Sequence, residues 1–375
     1  MRVLIDATGL TKRKAGVGVY GKELIDGLVA SNLVQLYLVV QDDDPDLAYY
    51  PAAVTVLRMP SRFLRKVPLR IIFEQTVLPF LIRKYRVDVV HSLHYSFPIF
   101  RFGAKSAVTI HDMTSLSMPE VHIGIKLRYY RFFIRRAQKW SDGLIFVSRS
   151  AQEDFVSHLG PPRGLSTVVY HGKSPAFHPL IDRTQIEPLC VKYGLPERYI
   201  LYVGTVEPRK NLERLVEAFA SLASALPTTS LVIAGMMGWK QEHLTDLVHA
   251  FGLEDRVIFT GYVAEEEKPV LIAGSDLFVY PSLYEGFGLP VLEALACGVP
   301  TITSDVSSLP EVAGDAALLI DPKDTRAITK AIEAVMGDPV LAAGLREKGP
   351  EQAAKFTWER AATQTAAVYS ALYSR

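Results

Sequence analysis

Residues 280–300 read Y-P-S-L-Y-E-G-F-G-L-P-V-L-E-A-L-A-C-G-V-P, and this stretch decides the fold. A strand-like segment, Asp276–Tyr280, leads into it. Gly286 and Gly288 keep the following loop open, because a backbone without a Cβ can approach a ligand closely. Pro290 suits the first position of a helix, where its missing N–H costs nothing. Val291–Cys297 reads as a short helix and Gly298 as its stop. The unpaired amides and positive dipole end of such a helix start make an anion site. Glu285 precedes the helix and Glu293 lies in its first turns. Either Glu alone reads as a solvated carboxylate. Together, converging on one helix start, they describe a phosphate held by amides with a hydroxyl-rich group near each carboxylate, as in a nucleotide sugar.

Outward from this stretch, short β-rich runs alternate with helical patterns, which argues for parallel sheets of βαβ units. The expected strands are Val3–Asp6, Gln35–Val40, Val87–His91, Ala107–Ile110, Leu144–Val147 and Thr167–Tyr170 in the first half. In the second half they are Tyr199–Val203, Leu231–Ala234, Val257–Phe259, Leu277–Tyr280, Thr301–Thr303 and Ala317–Ile320. Their apolar runs are continuous, as in strands covered on both faces. Each half reads as a doubly wound domain, residues 1–176 and 177–356, with a boundary in the proline-containing stretch Pro175–Thr184. Ligands of such sheets sit beyond the C-terminal strand ends.

At 375 residues the chain can bury two cores, and its 22% charged residues are ordinary for a globular protein. The net charge of +1 hides an asymmetry. Residues 1–175 hold 24 basic and 14 acidic residues, whereas the rest hold 17 and 26. Cys190 and Cys297 have no metal-ligand spacing, and Cys297 reads as a small core residue. The start, M-R-V-L-I-D-A-T-G, is a strand and turn, and no apolar run reaches bilayer length. The expectation is a cytoplasmic protein.

A second motif, Val203-Gly204-Thr205-Val206-Glu207-Pro208-Arg209-Lys210-Asn211, follows a strand and opens a helix. Cations disfavour helix starts, so Arg209 and Lys210 there point to an anion partner such as a departing diphosphate. In the first half, Asp6–Gly9 ends a strand, the basic loop Lys12-Arg13-Lys14 follows, and then Gly16-Val17-Gly18 opens a helix. G-x-G alone is weak, and the full dinucleotide fingerprint is absent from both halves, which argues against a nicotinamide dehydrogenase. His111-Asp112 follows the strand Ala107–Ile110, with Asp112 suited to capping the next segment. His91, His94 and Tyr95, at the preceding strand end, are candidates to line a ligand pocket. Asp42-Asp43-Asp44 contains a D-x-D pattern but reads as a surface turn before Pro45. Two basic-aromatic stretches, Arg62–Arg86 and Lys126–Trp140, suit an anionic membrane surface, or else are half-buried helices with charged outer faces. No nucleic-acid module is present.

The run 280–300 resembles the Glu-x7-Glu signature of retaining glycosyltransferases with the GT-B fold, glycosyltransferase family 4 above all. The similarity covers most of the chain and is strongest from Leu201 to Asp321. It implies an α/β architecture of two Rossmann-like domains facing across a cleft. A last helix, in residues 357–375, would return to the first domain with Trp358, Val368, Tyr369, Leu372 and Tyr373 as anchors. It also implies that Lys210 binds phosphate, that Glu293 takes the ribose hydroxyls, and that Glu285 with the amides of Gly286, Phe287 and Gly288 holds the sugar and the distal phosphate. The amides of Leu289 and Val291 are further phosphate donors, and Gly261-Tyr262-Val263 seats the base. Gly235-Met236-Met237-Gly238-Trp239, at another C-terminal strand end, is a candidate to line the same site, with Trp239 alternatively a packing residue. Thr205 stands where the family often has a second Arg, so either Arg209 replaces it or the diphosphate is held differently.

By the same resemblance Gly16, Val17 and Gly18 border the acceptor, although Val19 stands where many members have Arg. His111, in V-T-I-H-D-M, would lie beside the transferred sugar. The implied reaction is a metal-independent, retaining hexosyl transfer by front-face attack, from a nucleoside diphosphate sugar to a glycan or lipid-linked acceptor. It would need no cofactor and take place at the inner face of the cell membrane. The phrases P-R-K-N-L and A-G-x-x-G-W resemble those of bacterial mannosyltransferases acting on surface polysaccharides, which implies GDP-mannose as donor, with a UDP-hexose as the alternative. The competing readings are a non-catalytic sugar-binding homologue and a phosphorylase-type enzyme, for which a pyridoxal lysine and a polymer site are not indicated.

Overall fold

Parallel pairing organises every described strand of the chain, because each strand ends in a helix or long connection that returns to the same starting edge. The computed structural model describes residues 1–10, 16–46, 50, 54–118, 124–179, 183–236, 238 and 242–375. The chain divides into two units, residues 1–172 with 357–375, and residues 173–356. In the first unit the described strands are β1 (Arg2–Asp6), β2 (Gln35–Gln41), β3 (Thr55–Met59), β4 (Val89–Ser92), β5 (Lys105–Ile110), β6 (Gly143–Phe146) and β7 (Leu165–Val168). Their order is β3-β2-β1-β4-β5-β6-β7, with Val3 of β1 opposite Leu36 on one side and Val89 on the other. In the second unit, β8 (Arg198–Val203), β9 (Thr229–Ala234), β10 (Val257–Gly261), β11 (Leu277–Tyr280), β12 (Thr301–Ser304) and β13 (Leu318–Ile320) take the order β10-β9-β8-β11-β12-β13. In both sheets the strand order reverses beside the first strand, between β1 and β4 and between β8 and β11. A ligand crevice forms at the C-terminal side of such a switch point.

The central strands are the ones whose apolar runs are unbroken. Val3, Leu4 and Ile5 of β1 and Ile200, Leu201 and Tyr202 of β8 have no exposed surface. The strand that the sequence pattern does not announce is β3, T-V-L-R-M, in which every residue keeps some solvent exposure. It is an edge strand carrying Arg58, so no buried run marks it. The opposite edge strand, β7, begins two residues before the expected Thr167 and ends at Val168, again with all its residues partly exposed.

The last helix, Trp358–Tyr373, belongs to the first unit. Its start is capped by the Thr357 hydroxyl, which accepts the Arg360 N–H at 3.1 Å. Trp358, Val368, Tyr369 and Leu372 are buried against the helix Val17–Ser31 and the strands β4, β5 and β6. Tyr373, expected as an anchor, is instead 58% exposed, because it lies one residue past Leu372 on the outer face. The close approach of the two helices depends on Gly27, where a Cβ would lie 2.8 Å from that of Ala362. Among the described residues no helix is long and apolar enough to cross a membrane.

Candidate active site

At the C-terminal ends of β8 and β11 the second unit gathers two cations around one carboxylate. Pro208–Lys210 is a single 3-10 turn that ends at Asn211, whose positive φ of 61° starts the next helix. The turn delivers Arg209 and Lys210 side by side. Lys210 Nζ donates to Glu285 Oε1 at 2.5 Å and to the Tyr280 hydroxyl at 2.8 Å. Arg209 donates to Glu285 Oε2 at 3.0 Å, to Glu207 Oε1 at 2.7 Å and to the Tyr284 carbonyl at 2.5 Å. Ser282 Oγ and the Tyr280 hydroxyl add bonds to Glu285 Oε1 at 2.7 and 3.1 Å. Burial pushes the Glu285 carboxyl up, but the charges of Arg209 and Lys210 and the bonds from Lys210 and Ser282 outweigh it and hold it at about 2. Burial and the repulsion of Arg209 pull the Lys210 ammonium down.

The loop after Glu285 is pinned from the next strand end. The Glu285 N–H donates to Ser307 Oγ at 3.0 Å, and Ser308 Oγ lies 3.0 and 2.9 Å from the carbonyls of Glu285 and Phe287. Gly288 then takes φ +103°, and a Cβ there would also stand 2.8 Å from Leu309. The helix Leu289–Ala296 begins at once, with no side chain capping its first N–H groups. Leu289 opens it, one residue before the expected first position at Pro290. The Val291 N–H already donates to the Gly288 carbonyl at 3.1 Å.

Glu293 has the opposite environment. It lies on this helix, 9% exposed, and its carboxylate makes no hydrogen bond or ion pair among the described residues. Burial pushes it up to about 7, against the pull of Lys268 and with a small push from Glu265. Cys297, expected in the core, is buried in the same helix end. Tyr262 is exposed just past β10, whereas its neighbour Val263 is a core residue. Thr205 is half-buried, and its carbonyl accepts the Tyr202 hydroxyl at 3.3 Å.

In the first unit His111 is buried after β5, and its Nε2–H donates to the Leu93 carbonyl at 2.8 Å. That bond leaves Nδ1 as an acceptor, and burial holds the ring neutral by lowering its pKa. Tyr20 meets it edge-on at 4.9 Å. His94 is half-buried, and its ring packs 4.3 Å from that of Tyr95. Tyr95 itself is buried in the core, with its hydroxyl 3.1 Å from the Asp112 carbonyl. His91 is fully buried between the Tyr369 hydroxyl at 2.6 Å and Thr109 at 2.8 Å, so it ties β4 to the last helix. Gly16, with φ +48°, precedes the helix Val17–Ser31, and Gly18 is buried in its first turn. Asp112 caps the following turn by accepting the Thr114 N–H at 3.0 Å. Lys12, Arg13, Lys14, Met237 and Trp239 lie outside the described residues, as does the side chain of Lys126.

Asp42 and Asp43 sit in a turn and hold the Ser61 N–H at 3.0 Å and Arg65 at 2.6 Å. Sequence reasoning missed the serines that fix Glu285. Ser282 lies within the same run, three residues before Glu285, but Ser307 and Ser308 arrive from β12 with no local spacing to announce them.

Two family models match the chain: residues 192–353 match Glycosyl transferases group 1 and residues 15–176 match Glycosyltransferase Family 4. O-antigen chain mannosyltransferase B of Escherichia coli is 34% identical over 318 residues, covering 83% of this chain and 82% of that protein. Serotype-specific mannosyltransferase WbdA of Escherichia coli is 31% identical over 283 residues, 72% of this chain but 34% of that longer protein. Among solved structures, sucrose-phosphate synthase from Thermosynechococcus elongatus superposes with a TM-score of 0.80 at 23% identity, over 100% of this chain and 99% of that one. The chain therefore belongs to the family 4 glycosyltransferases, has the GT-B fold and is a hexosyltransferase.

Proposed function

We propose that the protein transfers mannose from GDP-mannose, with retention of configuration and without a metal ion, to a hydroxyl of a glycan or lipid-linked glycan in surface polysaccharide synthesis. The observation that carries this reading is the pairing of Glu285, saturated by Lys210, Arg209, Ser282 and Tyr280, with Glu293, which lies on the adjoining helix and has no partner among the described residues. An unpaired, buried carboxylate suits a ligand that brings its own donors, as a ribose diol does. Lys210, Arg209 and the start of the helix Leu289–Ala296 supply the positive charge that a departing diphosphate needs, a role a metal would otherwise fill. The mannosyl donor is supported by the two mannosyltransferase relatives.

Both oxygens of Glu285 are occupied by cations and hydroxyls, and its depressed pKa makes it a weak nucleophile. This favours front-face attack over a covalent glycosyl-enzyme. The C1–O bond to the diphosphate breaks with its electron pair on the diphosphate, the acceptor oxygen bonds to C1 on the same face, and the acceptor proton passes to the departing diphosphate. Neutral His111 would accept a sugar hydroxyl at Nδ1. The exposed aromatic and basic side chains of residues 62–84, among them Phe63, Phe80, Lys66 and Lys84, support an acceptor presented at an anionic membrane.

The test is a donor-hydrolysis screen in EDTA with GDP-mannose, UDP-glucose, UDP-galactose and ADP-glucose, with Glu293→Ala as control. Hydrolysis of GDP-mannose that the variant loses is the expected result. Preference for a UDP-hexose overturns the donor assignment, and no hydrolysis of any donor without added Mg²⁺ or Mn²⁺ overturns the metal-free reading.

A further inference from the structure

The first unit contains a second polar cluster, in which Arg70 and Glu74, announced by no sequence motif, join Asp6, Val17 and His94. Beyond the ends of β1 and β4 lies a cavity of about 90 Å³, walled by Asp6, Arg70, Glu74, His94, Ser96 and Tyr130 among others. Glu74 projects from the helix Val67–Lys84 and is 3% exposed. Ser96 Oγ donates to its Oε1 at 3.1 Å and the Tyr129 hydroxyl to its Oε2 at 3.3 Å, while Arg70 Nε stands 3.7 Å away. Arg70 Nε is itself buried and makes no hydrogen bond among the described residues. Asp6 is anchored at Oδ1 by the Thr8 N–H at 2.9 Å and the Thr8 hydroxyl at 2.7 Å. The rings of His94 and Tyr130 lie 5.3 Å apart on one wall.

The chemistry of this lining selects its ligand. Two carboxyl groups beside one guanidinium disfavour phosphates and carboxylates, and the guanidinium disfavours a bare cation. Burial pushes Glu74 up to about 7, with Asp6 adding repulsion and Arg70 opposing it. The walls therefore mix donors and acceptors, which suits uncharged hydroxyl groups, and the two rings offer an apolar face to C–H bonds. A cavity of about 90 Å³ has room for several water molecules, and so for the hydroxyl-bearing edge of a pyranose.

We infer that the Asp6–Arg70–Glu74 cavity is an acceptor subsite that grips the vicinal hydroxyls of one neutral hexopyranose residue. The inference rests on the transferase reading and adds to it the class of acceptor and the residues that choose it. The carboxylates accept two neighbouring hydroxyls, Arg70 donates to the ring or glycosidic oxygen, and the His94–Tyr130 wall packs on the sugar face.

The experiment is saturation-transfer NMR on the full-length protein with methyl α-mannoside, methyl α-glucoside and methyl α-galactoside, and with GDP binding measured in parallel. Glu74→Gln, which keeps the shape, and Arg70→Met are the variants, each checked by thermal melting. The expected result is that the wild type binds at least one hexoside, that each variant weakens it about tenfold or more, and that GDP affinity stays within about twofold. A wild type that binds none of the three overturns the inference, as does hexoside binding that survives in both variants. Loss of GDP and hexoside binding together marks the triad as a structural ion cluster and also overturns it. A protein that binds a hexoside through Glu74 but turns over no nucleotide sugar refutes the transferase reading and leaves the subsite standing.

Discussion

Replacing Glu293 with Gln should stabilise the free protein, and increasingly so as the pH rises. The folded carboxyl is held at about 7 against an ordinary 4.5. Every tenfold change in an ionisation equilibrium corresponds to about 1.36 kcal/mol, so ionising Glu293 in the fold costs about 3 kcal/mol relative to the unfolded chain. Below pH 4.5 both states carry the proton and the cost is absent. Between 4.5 and 7 the unfolded chain ionises first and stability falls, and above 7 the full cost is present. Gln removes it, so the variant should gain about 1 kcal/mol at about pH 5 and about 3 kcal/mol at about pH 8. Urea unfolding of both proteins at the two pH values, followed by circular dichroism, measures the difference. Any constant effect of the amide cancels between them. The proposed ribose contact adds a second readout, because the ionised form is the better acceptor of two hydroxyls. GDP affinity should rise through pH 7 in the wild type and stay flat, and at least about tenfold weaker, in the variant. A gain that does not grow with pH refutes the reasoning that Glu293 is buried and unpaired.

Lys210→Met should abolish transfer and destabilise the protein by about 1–3 kcal/mol, because buried Glu285 loses one of its two cations and keeps only Arg209. Lys210→Met with Glu285→Leu should be more stable than Lys210→Met alone, as read by urea midpoints in a double-mutant cycle. Glu285 is displaced the other way from Glu293, so its stabilisation is present above pH 4.5 and lost as pH falls toward 2. Wild-type stability should therefore drop by up to about 3 kcal/mol across that window, and Glu285→Gln should flatten the profile. Tyr369→Phe should cost about 1–3 kcal/mol by leaving His91 short of one partner, without changing GDP affinity.

The sheets were legible wherever a strand is covered on both faces, since burial demands the unbroken apolar runs that the sequence displays. β3 and the start of β7 were not, because an edge strand is half-solvated and its composition is that of a loop. The donor-side residues were legible because Arg209, Lys210, Glu285 and Glu293 are crowded into two short segments at the ends of β8 and β11. What gives those residues their states was not. The clamp on Glu285 needs β8 beside β11, and Ser307 and Ser308 come from the end of β12, so the depressed pKa exists only after the sheet has formed. Glu74 was hidden more completely, as an ordinary polar residue within an aromatic, basic helix.

Two glutamates eight residues apart thus reach opposite states through position alone. Glu285 lies in a loop between strand and helix, where backbone and side chains of three segments can turn toward it, and it is saturated. Glu293 lies within a helix, whose backbone is spent on its own hydrogen bonds, so only side chains from elsewhere could have satisfied it. Among the described residues none does. A fold that merely needed an ion pair could keep the first and replace the second with a hydrophobic residue at a gain in stability. Holding an unpaired carboxylate on the inner turns of a helix, beside uncapped amides, costs the free protein stability that a donor with two hydroxyls and a phosphate can return on binding. The gain in stability expected for Glu293→Gln and the loss of nucleotide affinity expected with it are therefore two measurements of one energy, and neither should occur without the other.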